Sequence, residues 1–371
     1  MILRNENNNT TTNGRNYGVD ALKIYSMCMI VVLHILSQGG ILEKISGRGY
    51  YLAWLLEILA YCAANCYALI SGYIRKRNVK KYNYNKIGTM WLQVAFYSFG
   101  ITFLFFCFHS ENVSKRNVIE ALFPVASNQY WYFTAYFGLF FLIPVLDFLI
   151  ENLSKRECKI TVLGIIFVFS VYGTFSKIFG DPFLLGDGYS VAWLCILYFL
   201  GAWIKKYNVL CRLNIKVAVM GIFVSTIFVW CCFCWVPFGG VLVSYISPFI
   251  LLNAVLFLCI FSRINVGAFG EKIISWFAPA TFGVYLIHCQ KVIFNSYFKN
   301  AFTWIAELNF VLVPITVLII ATIIFLVCTI IEKIRIIIFK IFKVDNWIEL
   351  IYNQIKKYIN KIDSVIHTIT K

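Results

Sequence analysis

His34 stands inside an apolar run that opens with Tyr17-Gly18-Val19-Asp20-Ala21-Leu22-Lys23. An unperturbed imidazole exchanges a proton near neutral pH, so a histidine held among apolar residues is a candidate general base. Lys23 lies eleven residues before it. At 100° per residue that is three helical turns plus about 20°, which puts both side chains on one helix face, about 16 Å apart along the axis. Asp20, three residues before Lys23, is within reach of an ion pair with it. A charge at mid-bilayer costs about 2.5–3.5 kcal/mol on insertion scales, so such groups usually face a bundle interior and often carry function. The same residues also fit plainer roles. Asp20 and Lys23 can form an interfacial pair with the lysine stem snorkelling, and a neutral His34 can hydrogen-bond across helices.

Three further clusters carry chemistry. Asn65 and Ser71-Gly72-Tyr73 lead into Arg75-Lys76-Arg77 and Lys80-Lys81. Such a cluster fits a positive membrane anchor, and Arg75 and Arg77 equally fit a phosphate clamp, because guanidinium forks match phosphate geometry. Asn128-Gln129-Tyr130-Trp131-Tyr132, followed by Tyr136, reads as an aromatic belt at a membrane surface. The neighbouring amides also suit a sugar, by stacking and hydrogen bonding. Thr281-Phe282-Gly283-Val284-Tyr285-Leu286-Ile287-His288 brings a second histidine into an apolar run, among four in the chain. Sequence leaves open whether His34 and His288 are close.

The elements that hold these residues follow from composition. Of 371 residues, 60% are hydrophobic and 13% charged, about half the charged share of a soluble domain. Mean hydropathy is +0.76. That excludes a soluble enzyme, a disordered chain and a secreted disulfide scaffold, and the unbroken apolar runs exclude a β-barrel. The expected fold is all-α: a polytopic membrane bundle of about ten helices, near residues 19–37, 53–73, 87–108, 130–150, 159–177, 190–204, 215–236, 241–261, 273–293 and 309–331, with a C-terminal amphipathic helix. Pro144, Pro248, Pro279 and Pro314 fall in or near these runs, where neighbouring helices can satisfy the freed carbonyls. The domain division is a polar, disordered N-terminus over 1–16, a membrane domain over 17–331 and a basic tail over 332–371. In the tail Ile334, Ile338, Ile341, Ile348, Ile351 and Ile355 recur near the helical period opposite lysines, as in a helix lying on a leaflet or packing on loops. No cleavable signal peptide is expected, since the first apolar run is too long for one. The thirteen cysteines lie mostly in apolar runs and read as small hydrophobes. Cys231, Cys232 and Cys234 lack further ligands nearby, so no metal is expected.

The net charge is +16, which in such a chain points to loops facing anionic lipid and not to nucleic acid. With a cytoplasmic N-terminus, 25 Lys and Arg fall on the inner side and 7 on the outer, Lys23 lying within the first run. This asymmetry predicts both termini in the cytoplasm. Asp20, Lys23, Arg75 and Arg77 are then placed near the inner face, and His34, Tyr130, Trp131 and His288 towards the outer.

With these strings in order, the chain resembles membrane acyltransferase family 3, the bacterial integral-membrane O-acetyltransferases of surface polysaccharides. The carriers are Tyr17 to Lys23 running on to His34, Asn65 to Tyr73, Tyr130 to Leu139, and Phe282 to His288. The family pattern in the first run is a basic residue, ten residues, then the histidine implicated in catalysis. Many members have Arg where Lys23 stands, so the charge is kept here and the planar fork lost. The extra soluble esterase-like domain of some members is lacking.

The resemblance implies a donor, cytosolic acyl-CoA (acetyl-CoA foremost), and a glycan acceptor on the outer side of a bacterial inner membrane. Arg75, Arg77, Ser71 and Asn65 would hold the donor. Lys23, steadied by Asp20, would orient it. His34 would deprotonate the acceptor or relay the acyl group. Tyr130, Trp131, Tyr136, Tyr285 and His288 would line the acceptor side. The rivals are a transporter or polymerase of lipid-linked glycans, which would carry a structural repeat not found here, and a non-catalytic sensor or scaffold, which would tolerate loss of His34.

Overall fold

The computed structural model describes residues 15–75 and 84–369. It is 79% helical, with no strand among the described residues. Of the stretch 1–16 expected to be disordered, residues 1–14 lie outside the described residues, as do Arg77, Lys76, Lys80 and Lys81, whereas Arg15 and Asn16 are placed by hydrogen bonds to Asp20, Val19 and Ser262. Among the described residues, seven helical segments are long and apolar enough to cross a membrane: Tyr17–Lys44, Gly47–Tyr73, Asn85–Phe108, Trp131–Asn152, Lys155–Ser176, Ile215–Trp235 and Leu312–Ile341. The other three expected runs are helical but shorter or broken. We number the helices used below α1 (Tyr17–Leu36), α2 (Gly47–Ala60), α3 (Ala63–Tyr73), α4 (Asn85–Phe108), α5 (Lys115–Leu122), α6 (Trp131–Asn152), α7 (Val191–Lys206), α8 (Pro248–Phe261), α9 (Ala268–Phe277), α10 (Thr281–His288), α11 (Leu312–Ile341) and α12 (Val344–Ile369).

Breaks occur beside prolines. The run expected over 241–261 leaves a short 3-10 turn at Leu242 and becomes α-helical only at Pro248, a favoured first-turn residue because its missing N–H has no helical partner. The run over 273–293 divides at Ala278–Ala280, a tight turn built on Pro279 that joins α9 to α10. Proline cannot donate the interior helical bond, and the bundle around it tolerates the irregularity.

Packing around α1, α3 and α7 depends on small residues. A Cβ on Gly72 would lie 2.0 Å from the Tyr198 carbonyl oxygen, and one on Gly201 would lie 2.1 Å from that of Leu69. Only glycine lets α3 and α7 approach backbone to backbone, the usual device for helix association in lipid. Asn16 caps α1 by accepting from the Val19 N–H at 3.0 Å, and its amide donates to the Ser262 carbonyl at 2.9 Å. This fixes the end of α1 that carries Asp20 and Lys23.

Beyond residue 331 the chain does not leave the bundle. Helix α11 runs on to Ile341, and α12 begins at Val344. The continuation is held by a buried network. Glu332 accepts from Gln93 at 3.1 Å and from Tyr97 at 2.6 Å, and it is also paired with Arg335. A Cβ on Gly283 would lie 2.2 Å from the Glu332 carboxylate, so glycine within the Phe282–His288 string makes room for this network behind α10.

Elsewhere in the bundle, Glu120 of α5 accepts from Arg116 at 2.8 Å and pairs with Lys291 at 2.9 Å. Burial alone would raise its carboxyl pKa, but the bonds from Lys291 and Arg116 outweigh it and hold the group below its ordinary value. A depressed carboxyl pKa contributes stability that is complete above the unfolded value, about 4.3, and is lost as pH falls through the folded one. Glu120→Gln should therefore lower the melting temperature of the detergent-solubilised protein by a few degrees at pH 7. That difference from the wild type should shrink steadily as the pH is lowered below the ordinary carboxyl range, as followed by intrinsic fluorescence.

Candidate functional site

Two cavities are stacked along the same three elements. The first, about 170 Å³, is lined by Met27, Ile30 and His34 of α1, by Ala64 and Tyr67 of α3, and by Phe282 and Tyr285 of α10; Glu57, Trp131 and Tyr132 also reach it. The second, about 580 Å³, is lined by Asp20 and Lys23 of α1, by Tyr73 of α3 with Ile74 and Arg75 just beyond it, and by Ala278 and Pro279 just before α10, together with Arg15 and Lys205. Tyr67 ties the two levels together, because its hydroxyl donates to the Lys23 carbonyl at 2.7 Å.

His34 and His288, left apart by sequence, meet in the structure. His34 Nδ1 lies 3.0 Å from His288 Nε2, and His288 Nδ1 lies 2.6 Å from the Val284 carbonyl oxygen. A carbonyl only accepts, so His288 Nδ1 carries the proton. Its Nε2 then holds a lone pair and must accept from His34 Nδ1–H. That leaves the lone pair of His34 on Nε2. His288 is fully buried, whereas His34 lines the first cavity. The arrangement is a histidine at a cavity wall, oriented by a second histidine anchored to the backbone.

Cys289 joins the pair, with Sγ 3.3 Å from His288 Nε2 and 3.6 Å from His34 Nδ1. One ligand atom from each of His34, His288 and Cys289 falls within 4.8 Å of the others, a spacing that suits a metal ion. The hydrogen-bond chain already engages both facing ring nitrogens without one. Counting cysteines by spacing along the chain misses this cluster, since Cys289 and His34 are 255 residues apart.

At the second cavity the expected Asp20–Lys23 pair forms at 2.7 Å, and Arg15 adds a further contact to Asp20 at 2.6 Å. Arg75 pairs with Asp147 at 3.2 Å, and Asp147 also accepts from the Tyr198 hydroxyl at 2.6 Å. Four cations (Arg15, Lys23, Arg75 and Lys205) line this wall with Asp20, and Asp147 lies behind Arg75, so the balance of these groups stays positive, which favours a polyanionic ligand.

The remaining sequence candidates divide. Trp131 and Tyr285 line the first cavity. The Tyr285 hydroxyl also accepts from the Tyr132 N–H at 3.2 Å, satisfying an orphan donor in the first turn of α6. Tyr130 is buried behind it, its ring 5.9 Å from that of Tyr285. Tyr136 sits one turn beyond Tyr132 on α6 and lines neither cavity. Asn65 is a buried cross-link, donating to the Tyr245 carbonyl at 2.7 Å and accepting from the Trp193 indole at 3.1 Å. Ser71 bonds back to the Ala68 carbonyl at 2.7 Å within its own helix.

Four lining groups went unmarked in the sequence, Glu57, Tyr61, Tyr189 and Tyr245, while Tyr67 and Tyr132 lay inside the quoted strings without being assigned to the site. Glu57 had a signal, since a lone carboxylate inside an apolar run is a functional candidate by its cost alone. The tyrosines had none, being indistinguishable by type from the aromatic residues that face lipid.

Residues 16–333 match the family model described as an acyltransferase domain. No curated protein and no solved structure gives a significant match.

Proposed function

Because the chain belongs to membrane acyltransferase family 3, and so is an acyltransferase embedded in a membrane, we propose that it moves an acyl group from cytosolic acyl-CoA to a hydroxyl of a cell-surface glycan or its lipid-linked precursor. The observation that carries this reading is the stacking of a cationic cavity and a histidine cavity along the same three elements. The phosphates of acyl-CoA suit the wall formed by Lys23, Arg75, Arg15 and Lys205. A pantetheine arm reaching along α1 spans the rise from Lys23 to His34, about 16 Å, and delivers the thioester carbonyl to the smaller cavity.

The chemistry then follows from the tautomer. His34 Nε2 takes the proton of the acceptor hydroxyl, whose oxygen attacks the thioester carbonyl carbon. The C–S bond breaks, and the proton passes from the imidazolium to the leaving CoA thiolate. His288 accepts from His34 Nδ1–H throughout and stabilises the charge that develops on the ring. The carbonyl of Val284 holds His288 in the tautomer this requires. Acetyl-CoA is the donor we favour, because a cavity of about 170 Å³ suits a short acyl chain beside an alcohol. The positive-inside asymmetry supports an inner-membrane orientation with both termini cytoplasmic and the acceptor on the outer side.

The test is transfer of label from radiolabelled acetyl-CoA to endogenous glycan in membrane vesicles, with succinyl-CoA as the comparison donor. Alkali-labile label on the glycan is the expected result. A glycan that moves or lengthens without consuming acyl-CoA would point instead to a transporter or polymerase.

Within this scheme Lys23→Met removes a cation from the donor wall and leaves Asp20 with Arg15 alone. Its half-saturating acetyl-CoA concentration should rise about 10–100-fold, as expected for loss of a charge-assisted contact. Lys23→Arg should recover most of the loss. Steady-state kinetics over a donor titration reads this directly, and an unchanged half-saturation would remove Lys23 from donor binding.

A further inference from the structure

Glu57 lines the cavity that holds His34, on the side walled by Tyr61, Tyr189, Tyr245 and Trp131. It is 4% exposed, and its Oε2 has no hydrogen-bond partner among the described residues. A buried acceptor left unsatisfied costs about 1–3 kcal/mol, more for a charged group, so such groups usually have a partner or a role. The surrounding rings are closely packed. Trp131 and Tyr245 lie nearly parallel, 5.8 Å apart and inclined by 24°, and Tyr189 lies 4.4 Å from Trp131 and 5.1 Å from Tyr245. No Lys or Arg lines this cavity among the described residues, so no cation of the protein there offers Glu57 a salt bridge. A carboxyl group beside aromatic faces provides what a pyranose needs: an acceptor for ring hydroxyls, and flat apolar surface for the C–H face of the sugar.

We propose that Glu57 is the acceptor-positioning residue. It binds a hydroxyl next to the reactive one on the glycan, with Trp131, Tyr189 and Tyr245 bounding the sugar ring, and so presents the reactive hydroxyl to His34 Nε2. The inference rests on the acyl-CoA-to-glycan reading and adds to it the subsite that selects the sugar. Glu57 acts through the substrate's orientation and takes no part in proton transfer.

The test uses the full chain in proteoliposomes, with acetyl-CoA as donor and, as acceptor probe, the envelope glycan fraction extracted from the cells in which the chain is native. Wild type, Glu57→Gln and Glu57→Asp are compared after matching for folded protein by gel filtration. Label on glycan and free CoA are both measured while each substrate is titrated. The expected result is a rise of about 3–10-fold in half-saturating glycan for Glu57→Gln, the size of one lost hydrogen bond between uncharged groups, with half-saturating acetyl-CoA unchanged and partial recovery in Glu57→Asp. An unchanged glycan half-saturation in Glu57→Gln would overturn the assignment. So would a fall in maximal rate with both half-saturations unmoved, which would place Glu57 in the chemical step or in the scaffold. Absence of both label and free CoA in the wild type would sink the acyl-CoA reading itself, and this inference with it. Free CoA without labelled glycan in the wild type would leave the donor half standing and overturn the glycan subsite.

Discussion

His34→Ala is expected to abolish acyl transfer, by at least about 10²–10⁴-fold in maximal rate, with little change in half-saturating donor. The direction follows from placement. His34 lines the smaller cavity, whereas the groups suited to phosphate lie at the other end of α1. Removing the imidazole deletes the proposed proton acceptor without touching the donor wall. The fold should survive, because His34 is half-buried and makes its one strong hydrogen bond to His288. Label incorporation by purified wild-type and variant protein at saturating acetyl-CoA measures the effect. A variant that retained a tenth of the wild-type rate would take His34 out of the chemistry.

The second large effect is expected at His288, a residue that does not touch substrate. His288→Ala removes the acceptor for His34 Nδ1–H and frees the His34 ring to rotate and exchange tautomers. A loss of about 10²-fold in maximal rate is expected, in line with the cost of losing an orienting partner of a catalytic histidine. Half-saturation for both substrates should hold steady. His288→Gln tests the proposed role against a merely structural one, since a glutamine carbonyl can still accept from Nδ1–H. It should recover a measurable part of the rate, and His288→Leu, of comparable volume but without an acceptor, should not. Equal rates for Gln and Leu would mean that His288 only fills space.

The helices were legible because lipid demands continuous apolar runs, and the expected Asp20–Lys23 pair was legible because three residues is a helical spacing. The broken elements were harder. Residues 241–247 and 278–280 are apolar enough to be read as membrane helix, and they depart from it where residues 242 and 244–247 pack into the bundle and where Pro279, flanked by buried Ala278 and Ala280, interrupts the helix. Glu332 and Arg335 look in the sequence like the start of a polar tail, yet both are buried, Glu332 bonded to Gln93 and Tyr97 and paired with Arg335. The meeting of His34 with His288 spans 254 residues, and no local pattern encodes it. Asn65 shows the converse limit. An amide inside an apolar run invites a ligand, yet both ends of its side chain are taken up in joining Tyr245 and Trp193.

The claim on which the rest depends is that the acyl group enters at the cationic end of α1 and leaves on a hydroxyl at the histidine end. It is tested most directly in sealed inside-out vesicles, with membrane-impermeant radiolabelled acetyl-CoA supplied only outside and glycan enclosed in the lumen. The expected result is alkali-labile label on lumenal glycan with the wild type and none with His34→Ala at matched expression. Label confined to glycan on the donor's own side, or equal lumenal label with and without the imidazole, would contradict the account.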